Sequence, residues 1–383
     1  MSKIDFELLK TIVTENRQRS IECFVYVHNM EKAQKAFVNK FNVKILNQFP
    51  FINILYVSGL PDAIYTISKL DVVKFVASLS SVSALVNISK KALKFNQNQY
   101  TGKNITVAYI DTGIYPHLDF VLKKKRIVKF IDLIGNQILP YDDNGHGTFV
   151  SGVGSGNGIT CNSKFIGFAP NSNIISIKAL NFSGEASASK ILEAMQWIYN
   201  NYKQYNIRVV CMSFGSEPLG INDPIMHGAE MLWKSGIVVV AAAGNSGPEY
   251  ETIKSPGISS KIITVGGIND NRIDQDTFSD NYFEIASFSS RGPAFKRFKP
   301  DLVAPSVDIN SCLNSEKFYT KLSGTSVSTP MIAGICACAF EKNPNLKPDQ
   351  IKRQLLINCK PITFNKNFEG YGILNAEKFM SSL

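Results

Sequence analysis

The sequence is poor in the features that mark several protein classes. Charged residues make up only 19% of the 383, and the 41 Lys and Arg form no run of five or more. A nucleic-acid-binding tail or patch is therefore not indicated, despite a formal charge of +10. Much of the basic surplus sits in residues 1–95, with 13 Lys and Arg against 7 Asp and Glu, and reads as a solvated basic face. No stretch approaches the ~20 apolar residues that span a bilayer, so no membrane partner is expected. The first twenty residues contain Asp5, Glu7 and Glu15 and lack an apolar run of signal-peptide length. The seven cysteines are odd in number, scattered and without C-x-x-C spacing, which points to neither a disulfide framework nor a zinc site. Cys336 and Cys338 would face different ways on a helix. Thiols used in this way suit a reducing compartment, and a cytoplasmic protein is expected. Only four histidines are present, which narrows the field for acid–base chemistry.

What is present divides near residue 95. IECFVYVHN (21–29) has the aromatic and β-branched content of a strand, and EKAQKAFVNKF (31–41) is amphipathic with Ala33, Phe37 and Phe41 on one side. Residues 43–59 read as two strands broken near Pro50, 60–70 as a helix, and 72–88 as the last strand material. The order βαββαβ predicts a small α+β domain of the ferredoxin-like kind over 1–95. KKALKFNQNQYTGKN (90–104) is polar and basic and reads as a linker.

Over 96–383 the pattern changes. Apolar runs of strand length recur at 105–110, 129–134, 173–180, 208–214, 236–244 and 261–268, with helical stretches between several of them, such as 187–202 and 223–236. Continuous apolar strands alternating with helices predict an α/β fold, a doubly wound, mostly parallel sheet covered on both faces. Ligands and chemistry in such folds belong at the carboxyl ends of the strands. ITVAYI runs directly into Asp111-Thr112-Gly113. His146 lies between Gly145 and Gly147, which let other backbone approach the ring closely, and opens an apolar stretch that predicts a helix. Ser326 follows Gly324-Thr325 at the start of a long apolar run. There it reads either as a first-turn residue or as a hydroxyl held rigidly beside free backbone N–H groups. His28 and His227 suit surface positions, and His117 reads as local loop structure.

Asp111 in IDTG, His146 in NGHGTFVSG and Ser326 in SGTSVSTPMIAG resemble the three signature blocks of the subtilisin family of serine proteases, in that family's order. AAAGNSGP (241–248) resembles its oxyanion-hole segment and CMSFGS (211–216) its substrate-binding strand. FSSRGP (288–293) and KPDLVAP (299–305) resemble stretches that precede the serine. The resemblance covers roughly residues 100–378 and implies a subtilisin-like fold and a protein or peptide substrate. Asp111, His146 and Ser326 would be the triad, with Asn245 and the Ser326 N–H forming the oxyanion hole. Substrate would be bound along Ser213, Phe214, Gly215, Ala243 and Gly244. Residues 1–95 resemble the family's propeptide, which helps folding and then inhibits by lying in the cleft. Self-cleavage is expected between Ser89 and Tyr100, where Leu93, Phe95 or Gln97 would supply the acyl side of the bond.

Two departures matter. The loop after the histidine block, NGITCNSKF (157–165), has no carboxylate. Many secreted relatives bind calcium near there, and calcium prefers several oxygen ligands, so no cofactor or metal is expected. Lys254 aligns with the floor of the pocket beside the nucleophile, where relatives carry small residues, and would favour an acidic substrate side chain there. Rival readings fare worse. A pseudoprotease would lack a triad residue; a lipase would show G-x-S-x-G and the order Ser, Asp, His. GSGNG (154–158) lacks the spacing and the preceding strand of a dinucleotide site.

Overall fold

The computed structural model describes the chain except residues 1–2, 5, 15–18, 51–52, 79–84, 97–98 and 272–282. It forms two compact units, Met1–Ser83 and Ala84–Leu383.

The first unit runs α1 (Phe6–Thr14), β1 (Ile21–Val27), α2 (Met30–Phe41), β2 (Lys44–Phe49), β3 (Ile54–Gly59), α3 (Pro61–Ser68) and β4 (Val73–Ser78). Its strands form an antiparallel sheet in the order β2-β3-β1-β4, the ferredoxin-like arrangement. Alternation along β1 turns Ile21, Cys23, Val25 and Val27 inward, where they meet Phe37 of α2 and Ile64 and Ile67 of α3. The α2 N-terminus is closed by the Asn29 side chain, which accepts from the Lys32 N–H at 3.0 Å.

The second unit begins with α4 (Leu85–Ala92) and continues β5 (Thr106–Asp111), α5 (Leu118–Val121), β6 (Ile127–Asp132), α6 (His146–Ser155), β7 (Asn173–Lys178), α7 (Ala188–Asn201), β8 (Ile207–Met212), α8 (Pro224–Lys234) and β9 (Val238–Ala242). Then follow β10 (Ile263–Asn269), β11 (Glu284–Ile285), β12 (Leu302–Pro305), β13 (Ile309–Cys312), β14 (Tyr319–Leu322), α9 (Thr325–Lys342), α10 (Pro348–Ile357), β15 (Cys359–Lys360), α11 (Lys366–Glu369), β16 (Ile373–Leu374) and α12 (Ala376–Ser381). All six apolar runs are strands of one sheet, ordered β15-β16-β12-β10-β9-β8-β5-β7-β6, with β11 paired to β10. It is parallel from β16 through β6; β15 and β11 pair antiparallel at its margin. Strand β5 lies between β7 and β8, with β6 beyond β7, so the winding reverses there. A crevice at the carboxyl end of β5 is the consequence. Helix α9 is buried from Val327 to Phe340, as its unbroken apolar run requires.

The expected division at residue 95 differs from the compact units. Residues 85–92 are helix instead of strand, and Leu93 and Phe95 lie in the core of the second unit. The Phe95 ring stands 5.3 Å from Phe168, the Lys90 ammonium donates to Gly167 O at 2.9 Å, and the Ala376 N–H donates to Leu93 O at 2.8 Å. Polar composition suggested a linker; three apolar side chains, Ala92 included, and one satisfied lysine tie it down instead. Gln97 lies outside the described residues.

Candidate active site

Asp111 is the last residue of β5 and only 1% exposed. Its Oδ1 accepts from the Thr112 N–H at 2.8 Å and pairs with His146 Nδ1 at 2.7 Å. His146 is the first residue of α6, and its side chain is 26% exposed. The close approach depends on glycine: a Cβ on Gly147 would lie 2.2 Å from Gly113 O and 3.1 Å from Asp111 Cβ. Burial works against charging the imidazole. The Asp111 charge and hydrogen bond, with Asp142 behind them, outweigh it and hold His146 above its ordinary value.

Asp142, which the sequence reading passed over, organises this corner. Its Oδ1 accepts from Thr112 Oγ1 at 2.9 Å and the Gly145 N–H at 2.8 Å; its Oδ2 accepts from the Thr148 N–H at 2.8 Å and Thr148 Oγ1 at 2.6 Å. One buried carboxylate thus caps α6 and ties it to the end of β5. Lys178, fully buried and level with Asp111 in the sheet, braces the same turn through Thr112 O at 2.7 Å and Asp143 at 2.6 Å. The doubled aspartate of DDNGHG was the only signal for this network.

Ser326 is the second residue of α9, after Gly324 with its φ of +148°. Helices α6 and α9 pack together. Gly154 and Gly334, each eight residues past His146 or Ser326, meet so closely that a Cβ on Gly334 would lie 3.0 Å from Gly154 O. His146 and Ser326 therefore stand at adjacent helix N-termini. Asn245 is anchored from the same helix: its Oδ1 accepts from the Thr325 N–H at 2.9 Å and from Thr325 Oγ1 at 3.0 Å. Two donors fix which end of the amide is oxygen, so its NH₂ is turned away from Thr325. Asn245 Nδ2 and Ser326 Oγ both lie 3.2 Å from where a Gly324 Cβ would stand, which puts the donor beside the hydroxyl. Such a set can move a proton from a hydroxyl and hold a developing oxyanion.

The other expected residues fall into two groups: Phe214 and Gly215 line a cavity, and Ser213, Ala243, Gly244 and Lys254 are not part of its lining. Ser213 and Ala243 are buried, and Lys254 donates its N–H to Ala243 O at 2.9 Å. A cavity of about 380 Å³ flanks Phe214 and Gly215, walled by Leu180, Ile191, Leu219 and Ile225.

The post-histidine loop does not fit a hard cation. Asp119 is the carboxylate it turns to, and that group accepts from the Gly158 N–H at 3.1 Å, the Thr160 N–H at 3.2 Å, Thr160 Oγ1 at 2.9 Å and Tyr319 OH at 2.8 Å. The loop offers donors where calcium needs oxygens. His117, Asp119 and Cys312 cluster within 4.8 Å, yet His117 Nδ1 accepts from the Asp119 N–H at 3.1 Å and Nε2 meets Phe318 O at 3.1 Å. Burial, with Asp119 beside it, pushes the Cys312 thiol well above its ordinary value, which disfavours a thiolate ligand. We expect a chelator to lower the melting temperature by less than about 5 °C, the scale of a ~1 kcal/mol effect in a domain this large; a larger drop with EDTA would reveal a structural ion.

A carboxylate, an imidazole and a helix-borne serine gathered at the carboxyl end of a doubly wound parallel sheet define the class of subtilisin-like serine hydrolases. The chain belongs to the subtilase family: the family model, described as "Subtilase family", matches residues 102–372. It is 37% identical over 364 residues to the serine protease AprX of Bacillus subtilis, covering 87% of this chain and 80% of that protein. It is 28% identical over 377 residues to an alkaline protease of Alkalihalobacillus alcalophilus, covering 96% and 90%. Among solved structures, Sphericase superposes with a TM-score of 0.64 at 25% identity, covering 77% of this chain and 99% of that one. The chain is a subtilisin-like serine protease.

Proposed function

We propose that the protease works through Asp111, His146 and Ser326, with Asn245 and the Ser326 N–H as oxyanion donors. His146 Nε2 takes the Ser326 proton as Oγ attacks the scissile carbonyl, and returns it to the leaving amine. The acyl-enzyme on Ser326 is then hydrolysed by water activated in the same way. The observation that carries this reading is the 2.7 Å pairing of His146 with the buried Asp111 carboxylate, at the level of the Ser326 helix terminus. The N-terminal unit is proposed as an inhibitory propeptide, removed by the enzyme itself and retained in the cleft. Because Lys90, Leu93 and Phe95 are held in the second unit, the cut is expected upstream of Ser89 instead of between Ser89 and Tyr100. We propose no resident metal and a cytoplasmic location, the latter on cysteine usage alone.

A fluorophosphonate probe tests the nucleophile and the base together. It should label Ser326 and nothing else, at a rate that rises with pH through the raised His146 value, because only the neutral imidazole accepts the proton. The acid limb is therefore expected above the unperturbed ~6.5. Stability runs the other way. A raised folded-state value means that the His146–Asp111 attraction is fully present below ~6.5 and is lost as pH climbs through that raised value. Labelling at another residue, or an acid limb below ~6.5, would count against the assignment.

A further inference from the structure

Two phenylalanines of the second unit stand on the surface in a backbone conformation that disfavours them. Phe295 and Phe364 are 46% and 84% exposed, with φ of +47° and +62°. Bulky residues rarely hold this left-handed region, which glycine and asparagine enter at less cost. Neither turn is loose. Ala294 and Arg297 exchange backbone hydrogen bonds at 2.8 and 2.9 Å. Between them Phe295 and Lys296, the latter with φ of +62°, form a tight turn of the kind that Asn-Gly ordinarily makes. The Phe364 turn is held from inside by the buried Glu369 carboxylate, which accepts from the Ile362 N–H at 2.6 Å and the Thr363 N–H at 3.0 Å. The two turns are neighbours. The Gly292 N–H donates to Asn367 O at 2.8 Å, the Phe298 and Tyr371 rings stand 5.5 Å apart, and the Lys366 ammonium lies over both rings. Lys296, Arg297 and Lys366 are exposed. Among the described residues none of these three pairs with a carboxylate, and the inward-turned Glu369 is the only acid within 291–298 and 361–371.

We propose that these two turns attach the protease to an anionic lipid surface. Phe295 and Phe364 enter the boundary between headgroups and acyl chains, while Lys296, Arg297 and Lys366 meet the lipid phosphates. A solvent-exposed ring returns nothing to the fold for its left-handed backbone, so the strain points to something outside the chain that the ring meets. Apolar tips flanked by unpaired cations complement a surface that is negative above and apolar beneath. A single-stranded nucleic acid fits less well, because it needs ring faces free for stacking. Here Arg291 covers Phe368 at 4.1 Å, and Lys366 covers Phe298 and Tyr371 at 5.0 and 5.2 Å. The two exposed rings are isolated tips instead. Surface attachment needs no apolar run of bilayer-spanning length, and the formal charge of +10 adds long-range attraction.

Sedimentation of the full chain with vesicles of phosphatidylcholine, alone or mixed equally with phosphatidylglycerol, reads the attachment. Binding to the anionic vesicles should be about tenfold tighter than to the neutral ones, and should weaken as salt is raised. Phe295→Asn with Phe364→Asn should lower the affinity for anionic vesicles about tenfold. Asparagine suits a left-handed backbone, so the melting temperature of that variant should hold or rise. A fall would make the rings structural and overturns the proposal. Lys296→Gln with Arg297→Gln should remove most of the preference for anionic lipid. Cleavage of short peptides in solution should be unchanged in both variants. Equal binding to the two kinds of vesicle, or undiminished binding by the asparagine variant, overturns the proposal. So does tighter binding to a single-stranded oligonucleotide than to the anionic vesicles, which would make the patch a nucleic-acid surface.

Discussion

Ser326→Ala is expected to cut peptide turnover by about 10⁶-fold, a magnitude taken from triad removal in subtilisin itself, and to leave the purified chain uncut. The substitution deletes one oxygen and little else. Thr325, which holds Asn245 through its N–H and hydroxyl and accepts from the Gly244 N–H at 3.2 Å, is untouched. The oxyanion donors thus stay in place, and residual catalysis of roughly 10³–10⁴ over water is expected from them and from binding. Alanine is the best helix former, and position 326 is the second residue of an otherwise buried α9, so the melting temperature should barely move. Mass spectrometry of wild type beside the variant reads both effects. Wild type should show a new N-terminus upstream of Ser89, and the variant none. A variant that still cuts itself at the same bond would remove Ser326 as nucleophile and with it the self-processing reading.

Much of this architecture was legible because it is written at short range. The strands of the second unit are continuous apolar runs, since a parallel sheet buried on both faces tolerates nothing else, and Asp111 declared itself by following one of them. The βαββαβ unit was legible from alternation, visible as the inward Ile21, Cys23, Val25 and Val27 of β1. What escaped depends on partners far along the chain. Residues 90–95 look like a linker until Gly167 accepts from Lys90 and Phe168 meets Phe95. Asp142 is one of two adjacent aspartates, and only the fold shows that it is the one bonding Thr112, Gly145 and Thr148 while Asp143 pairs with Lys178. Lys254 was expected near the pocket floor by alignment, but its pairing with Glu217 joins two loops with no shared periodicity. Side chains that satisfy each other across the fold leave no local pattern to read.

The same distinction between position and charge decides what Asp111 does. Asp111→Ala is expected to lower kcat by about 10⁴-fold, the order observed when subtilisin loses its triad aspartate. It removes the acceptor for His146 and for the Thr112 N–H together and leaves the imidazole free to turn. Asp111→Asn should lose less, about 10²–10³-fold, the scale of one electrostatic stabiliser. The reason is local. The oxygen that meets His146 Nδ1 at 2.7 Å is the one that accepts from the Thr112 N–H at 2.8 Å. The backbone donor selects the amide oxygen at that point, since an NH₂ there would face N–H. The ring keeps its tautomer, and what disappears is the charge that stabilises the imidazolium. Burial, which pulls the His146 pKa down, is then opposed by Asp142 without the Asp111 charge, so the acid limb of kcat/KM should move to lower pH in the Asn variant even as the plateau falls. Equal losses in the two variants would mean that orientation through this hydrogen bond contributes nothing. An acid limb unmoved by the amide would mean that Asp111 is not what holds the His146 value up.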